Sequence, residues 1–215
     1  MALPPQAIAE QVSGYGWNEA AGQYYRLDNK RFVKRIEVRD AFEKAIDATK
    51  ADMRRVSTAL QNGEISVAEW RGEMMRYVKR VHVAESCAAR GGWAQMSQAD
   101  WGAVGGRIKR QYQYLENFAQ EIHSGKYAVT GGNFLNRVDM YADAGRGTYE
   151  RTVTKLMTDR GYTEERNVLG VADHCPECLA ETARGWVPIG TLIPIGNRIC
   201  LTNCHCEKEY RKVER

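Results

Sequence analysis

The sequence contains no apolar run that approaches the ~20 residues needed for a membrane-spanning helix. Residues 1–5 lack the basic start and the apolar stretch that are typical of a secretory signal. We therefore expect synthesis in a reducing cytosol, where thiols bind metal ions more often than they form disulfides. The sequence also contains no internal repeat and no low-complexity tract.

A strong charge of one sign is absent as well. The 31 Lys and Arg residues are interspersed with 27 Asp and Glu residues, which leaves a net charge of +4 at pH 7. Such a mild positive charge permits contact with nucleic acid but does not indicate it. Hydrophobic residues make up 43% of the chain, so we expect a packed core rather than global disorder.

The central part of the chain has the apolar periodicity of amphipathic helices. Four helices are predicted. The first covers about 35–61 and the fourth about 134–160, and the second and third start at capping boxes at Ser66 and Ser97. Their predicted buried faces contain Phe42, Ile46, Met53, Leu60, Trp70, Met74, Val81, Val104, Ile108, Leu115, Phe118, Val138, Tyr141 and Val153. Short connections favour antiparallel neighbours, so the predicted fold is mainly α, an antiparallel helical bundle or hairpin.

Glycine interrupts two of these predicted helices. Gly105 and Gly106 lie inside the third helix and indicate either a close helix contact or a kink. Gly145 and Gly147 mark a place where the fourth helix could be divided in two.

Both ends of the chain differ from this helical region. Residues 1–30 combine glycine and proline with scattered aromatic residues, which predicts an extended N-terminal arm without a packed element. Such an arm could lie on the protein's own surface, reach another subunit or be loosely ordered. From residue 162 onward, short β-like segments and turns predict a small β module, with a tight turn at Pro176 and Glu177 and a returning strand from Ile199 to Tyr210. The predicted domains are an arm (1–30), a helical domain (31–161) and a cysteine-rich module (162–215).

Five of the six cysteines lie in this last module. Cys175 and Cys178 form a C-x2-C pair, and Cys200, Cys204 and Cys206 form a C-x3-C-x-C group. Two close groups of cysteines are typical of a structural zinc site, in which four ligands surround the ion. We predict Cys175, Cys178 and Cys200 as ligands, with the fourth supplied by Cys204 or Cys206. The zinc would stabilise a module that buries little apolar surface by itself.

Other interpretations of the cysteines are less favoured. A redox C-x2-C pair normally begins a helix in a βαβ unit, which is not predicted here. His174 and His205 could replace a cysteine ligand, although a histidine beside a ligand more often points to solvent or hydrogen-bonds to a ligand. A catalytic zinc is not predicted, because His174 and Glu177 have the wrong spacing for a nucleobase deaminase and no H-E-x-x-H motif occurs. Cys87 is predicted to be a small buried apolar residue.

The order of these features resembles a known family. It consists of a helical segment at 140–146, the sequence Asp-His-Cys-Pro-Glu-Cys at 173–178, a proline-containing connector, and Cys-His-Cys at 204–206. This resembles the C-terminal domain of tailed-bacteriophage minor head proteins, the head-morphogenesis family, over about 135–210. The family usually has a histidine shortly before the C-x-C, where this chain has Cys200.

The resemblance implies a structural, non-enzymatic protein of the virion, made in the host cytoplasm. It would act in head assembly or stabilisation through contacts with the major capsid protein or the portal. Self-association and contact with packaged DNA are further possibilities, and no membrane contact is implied. Five tryptophans and 11 tyrosines are compatible with such protein interfaces.

The alternative is a zinc-containing nucleic-acid-binding or regulatory protein. Basic residues of the second and third helices could form a positive face for phosphates: Arg71, Arg76, Lys79, Arg80, Arg107, Lys109 and Arg110. We favour an ordinary solvated helix face, because acidic residues such as Glu69 and Glu73 dilute this charge.

Overall fold

The structure, a computed structural model, describes residues 14–18 and 20–213. The helices are α1 (Arg35–Gln61), α2 (Val67–Arg90), α3 (Gln98–His123), α4 (Gly131–Asp159) and α5 (Pro176–Ala183). The strands are β1 (Tyr15–Asn18), β2 (Gln23–Arg26), β3 (Phe32–Val33), β4 (Glu164–Val168), β5 (Val187–Pro188) and β6 (Glu207–Arg211). The chain divides into two compact units, Met1–Gly145 and Arg146–Arg215. No helix within the described residues is long and apolar enough to cross a membrane.

The first unit is mainly helical, and its helices begin and end where the sequence predicts. The Oγ atom of Ser66 accepts a hydrogen bond from the Glu69 N–H at 3.2 Å, and the Glu69 carboxylate accepts one from the Ser66 N–H at 2.8 Å. Ser97 forms the same reciprocal box at the start of α3. Gly91 ends α2 in the left-handed conformation, with φ of 87°.

Aromatic residues form the centre of the first unit. The side chain of Trp70 is fully buried, and its ring centroid lies 5.5 Å from that of Phe118 and 5.9 Å from that of Phe134. The indole N–H donates to the Ser57 Oγ at 2.9 Å, which satisfies the polar atom of this buried side chain. Ser57 lies near the end of α1 and Trp70 near the start of α2, so these two helices are antiparallel.

A small sheet at the N-terminal side differs from the predicted arm. Strands β1, β2 and β3 pair in an antiparallel manner in that order. Tyr24 is buried, donates its hydroxyl to the Ala89 carbonyl at 3.0 Å and meets the Trp17 ring edge-on at 4.7 Å. The aromatic residues therefore hold residues 15–33 on α2, and the predicted arm is not extended over its described part. Residues 1–13 lie outside the described residues.

The glycines of α3 and α4 do not interrupt their helices. A Cβ atom on Gly105 or Gly106 would meet no atom within 4 Å, so the predicted helix contact is not found at the pair, and α3 continues through it. In α4, a Cβ on Gly145 would lie 3.0 Å from Val81 Cγ2, and one on Gly147 would lie 3.0 Å from the Ile195 carbonyl oxygen. Close packing, rather than a division of the helix, accounts for these two glycines.

Replacing Gly105 or Gly106 with alanine is expected to stabilise the protein by about 0.5–1 kcal/mol each. Alanine has the higher helix propensity, and the added methyl group enters open space. Chemical denaturation of the purified variants measures the change. Gly145→Ala is the matched control and should be destabilising, because its methyl group would press on Val81 and Glu85. Destabilisation by Gly105→Ala would show that this face packs against something.

The second unit contains the end of α4, a second sheet and α5. It begins within α4, earlier in the chain than the domain boundary predicted after residue 161. Strand β4 lies between β5 and β6 and is antiparallel to both, as in the predicted β module. The Thr154 hydroxyl lies 2.8 Å from the Tyr210 hydroxyl, which connects α4 to β6 within this unit.

Candidate metal centre

The C-x2-C pair lies at the start of α5. Cys175 is the N-cap residue, Pro176 occupies the first turn and Cys178 follows within that turn. The two Sγ atoms are 3.4 Å apart, well beyond the ~2.05 Å of a disulfide bond. The sequence predicted a tight turn here rather than a helix. The position at a helix start resembles that of redox pairs, but β4 has only antiparallel partners, so no βαβ unit is present around it.

The second cysteine group lies on an irregular segment before β6. Cys200 and Cys204 flank a short 3-10 turn, Leu201–Asn203, in which Leu201 has a positive φ of 47°. Cys206 directly precedes β6. The returning strand predicted from residue 199 therefore forms only from Glu207 onward. A continuous strand would place Cys200, Cys204 and Cys206 on one face but spread over about 20 Å, whereas the turn brings their thiols together.

All five cysteines of the second unit come together around Cys178. Its Sγ atom lies 3.6 Å from the Cys200 Sγ and 3.7 Å from the Cys204 Sγ. Two sets of three thiols are close enough to hold a metal ion, with all sulfur atoms of a set within 4.8 Å of one another. The first set is Cys175, Cys178 and Cys200, and the second is Cys178, Cys204 and Cys206. The cluster could hold a metal ion through any of the predicted cysteines.

The remaining cysteine and the histidines lie outside this cluster. Cys87 is fully buried in α2, where burial raises the pKa of its thiol to about 12. It packs with Val83 as part of a small apolar cluster, as a buried apolar residue would. Among the described residues, neither His174 nor His205 joins either set of thiols.

The thiols of the cluster differ in acidity. Burial raises the pKa of Cys175, but hydrogen bonds from the backbone N–H groups of Cys178 and Cys200 outweigh this and lower it to about 7. Burial and the neighbouring thiols raise the pKa of Cys200 to about 12. For Cys206, the hydrogen bond with Cys204 and burial raise the pKa above the usual range. Close thiolates repel one another, and a bound dication would remove that repulsion.

A buried arginine accompanies the cluster, which the sequence interpretation missed. Arg198 is fully buried, and its Nη1 atom lies 3.6 Å from the Cys178 Sγ. Its Nε and Nη2 atoms both donate to the Ile193 carbonyl at 3.1 Å. The available signal was a basic residue next to the apolar Ile199, two positions before Cys200.

Carboxylates of the second unit hold the connector that leads to the second cysteine group. Glu165 on β4 is fully buried and accepts hydrogen bonds from the Gly190 N–H at 3.0 Å and the Leu192 N–H at 3.1 Å. It also pairs with the buried Lys208 of β6, with 2.9 Å between Oε2 and Nζ. Glu165 therefore connects both sheet strands to the connector.

Two carboxylates of α5 act on the same connector. Glu177 Oε2 accepts a hydrogen bond from the Ile199 N–H at 2.7 Å, and Glu181 Oε2 accepts one from the Ile193 N–H at 2.8 Å. The Glu177 carboxylate, considered above as a general base, thus serves as an acceptor for a backbone amide. Together with Glu165, these side chains place Cys200 next to the start of α5.

The basic residues of α2 and α3 are partly neutralised. Arg71 lies 2.8 Å from the Glu116 carboxylate and Arg80 lies 3.3 Å from that of Asp52. Arg76 pairs with Glu73 one turn away on α2. These pairs fit a solvated helix face better than a surface that attracts phosphates.

Comparison with known proteins adds no relative: no family model, no curated protein and no solved structure matches the chain.

Proposed function

We propose that the chain is a structural protein whose second unit is held together by one zinc ion bound to four cysteine thiolates. Three distances from the Cys178 sulfur carry this proposal: 3.4 Å to Cys175, 3.6 Å to Cys200 and 3.7 Å to Cys204. A zinc–sulfur bond of 2.3 Å gives a tetrahedron with sulfur atoms about 3.8 Å apart. These three distances are close to the edge of that tetrahedron. Cys175, Cys178 and Cys200 also lie within 4.8 Å of one another, whereas Cys204 shares its set of three with Cys178 and Cys206.

Cys204 is the better fourth ligand, and Cys206 is the spare thiol. The distance between Cys178 and Cys204 is close to the edge of the tetrahedron. Cys206 lies within 4.8 Å of the Cys178 and Cys204 sulfur atoms, and as a spare thiol it can donate a hydrogen bond to the Cys204 sulfur. In this arrangement zinc would join the start of α5 to the segment before β6, and the ion would stabilise the fold without taking part in a reaction.

We further propose that the protein is a minor component of a tailed-bacteriophage head, made in the host cytoplasm and incorporated through contacts with the major capsid protein or the portal. The resemblance over residues 135–210 is the basis of this proposal. The second unit exposes large apolar side chains that are available for contact with another protein. They are Val171, Leu179, Ile199, Leu201 and Val213.

The test of this role is whether the full chain co-purifies with assembled particles in a fixed copy number. Leu179→Ser combined with Ile199→Ser is expected to reduce incorporation at least several-fold, because both side chains are exposed and their loss leaves the fold intact. Unchanged zinc content of this variant is the control for folding. A chain that is absent from particles, and that instead forms a free dimer that shifts DNA on a gel, would favour the nucleic-acid-binding alternative.

A further inference from the structure

The buried guanidinium of Arg198 has an unusual set of partners. It is fully buried, and its hydrogen-bond acceptors are the Ile193 carbonyl and the Cys178 sulfur. A carbonyl carries no net charge. A fully buried cation is strongly unfavourable unless an anion lies close to it, and arginine stays protonated at any relevant pH.

The nearby carboxylates of the second unit have other partners. Glu165 binds Lys208, and Glu181 binds Arg184 and the Ile193 N–H. Glu177 accepts from the Ile199 N–H. Among the described residues, the Cys178 sulfur is the hydrogen-bond partner of Arg198 that can carry a negative charge.

We propose that Arg198 is the counter-cation of a metal centre with four thiolate ligands, and this inference rests on the zinc site proposed above. Four thiolates around a dication carry a net charge of about −2, which exceeds that of a site with three thiolates and one histidine. The guanidinium offsets half of that charge at 3.6 Å from Cys178. Neutral thiols or a disulfide would leave the guanidinium without an anion, so Arg198 indicates that the cluster carries thiolate charge.

Arg198 also has a positioning role that is separate from its charge. Its two hydrogen bonds to the Ile193 carbonyl fix the connector, while the Ile193 N–H is held by Glu181. Loss of the side chain would therefore affect both the charge of the cluster and the path of the chain to Cys200. The two effects are distinguished by comparing substitutions that keep or remove the charge.

The test uses the full chain with Arg198→Met and Arg198→Lys, and it measures zinc affinity by competition with a chromophoric chelator. Arg198→Met keeps most of the volume and removes the charge, so zinc binding should weaken by about 10- to 100-fold. Arg198→Lys keeps the charge and should recover most of that loss. Arg184→Met is the matched control, since Arg184 lies in the same unit, is 40% exposed and pairs with Glu181. Its affinity should change less than twofold.

A second measurement separates a counter-cation from a merely structural residue. Without zinc, Arg198→Met removes a buried charge together with two hydrogen bonds to the Ile193 carbonyl, and these effects have opposite signs. Its thermal midpoint should therefore stay close to that of wild type without zinc and fall well below it with zinc. Equal destabilisation of both forms, or equal losses of affinity in the Met and Lys variants, would overturn the inference. Wild-type protein that binds no zinc would overturn the zinc proposal and this inference with it. Wild type that binds zinc no more tightly than Arg198→Met would overturn only the inference.

Discussion

Replacing Cys178 with serine is expected to abolish the binding of one equivalent of zinc and to loosen residues 164–211, while α1, α2 and α3 persist. The Cys178 sulfur is within 3.7 Å of three other thiols, and it belongs to both sets of three that could hold an ion. Binding of structural zinc contributes an apparent free energy of about 10–16 kcal/mol to small zinc-dependent folds at pH 7. The second unit would lose this contribution, and the first unit has an aromatic core of its own.

Metal analysis of the purified variant measures the loss of zinc, and hydrogen exchange locates the loosened segment. Two other cysteines serve as controls. Cys87→Ala should retain a full equivalent, because Cys87 is buried in α2 and belongs to neither set of thiols. Cys206→Ser should also retain a full equivalent of zinc if Cys206 is the spare thiol. Loss of zinc in this variant would show that Cys206, and not Cys204, is the fourth ligand. Full zinc occupancy in Cys178→Ser would contradict the assignment of this cluster as the zinc site.

Replacing Glu165 with alanine is expected to destabilise the second unit by about 3–5 kcal/mol even when zinc is present. Breaking a buried ion pair leaves its partner charge uncompensated, and Lys208 is 3% exposed. The amides of Gly190 and Leu192 would also lose their acceptor. Hydrogen exchange of β4 and β6 in the zinc-bound protein measures the effect within this unit.

Glu209→Ala is the matched control for Glu165→Ala. Glu209 pairs with Arg166 on the exposed face of the same sheet, and both side chains are more than 40% exposed. Loss of an exposed ion pair costs about 0–1 kcal/mol. Equal effects of the two substitutions would show that the buried carboxylate contributes no more than a surface one. Glu165→Leu with Lys208→Met should recover part of the loss, since removing both charges leaves neither one unpaired.

The helices could be predicted because their signals are local. The capping residues Ser66 and Ser97, together with apolar residues at helical spacing, are read from adjacent positions. The N-terminal sheet gave no such signal. Its stability depends on Tyr24, whose hydroxyl reaches the Ala89 carbonyl from a distant part of the sequence. A glycine-rich segment with scattered aromatic residues therefore resembled an arm.

The candidate site was likewise predictable where its signals are local and not where it depends on contacts between distant residues. The cysteine spacing predicted which residues would meet, because zinc ligands occur in close pairs along the chain. The roles of Arg198 and Glu165 depend on contacts with Cys178 and Lys208, which no local pattern specifies. The helix at Cys175 was also missed. The sequence signal for the start of this helix is Pro176 directly after the N-cap residue, and a proline at this position is equally compatible with a tight turn.

The order of the strands has a consequence for synthesis on the ribosome. Strand β4 is central in its sheet, yet its partner β6 is translated only after the connector and all five clustered cysteines. While the chain is being made, Lys208 is not yet present to pair with Glu165, and Cys200 and Cys204 are not yet present to contact Cys178. The second unit can therefore be completed only after β6 has been made, so that a prematurely terminated chain would leave its thiols and one edge of β4 open to cellular quality control.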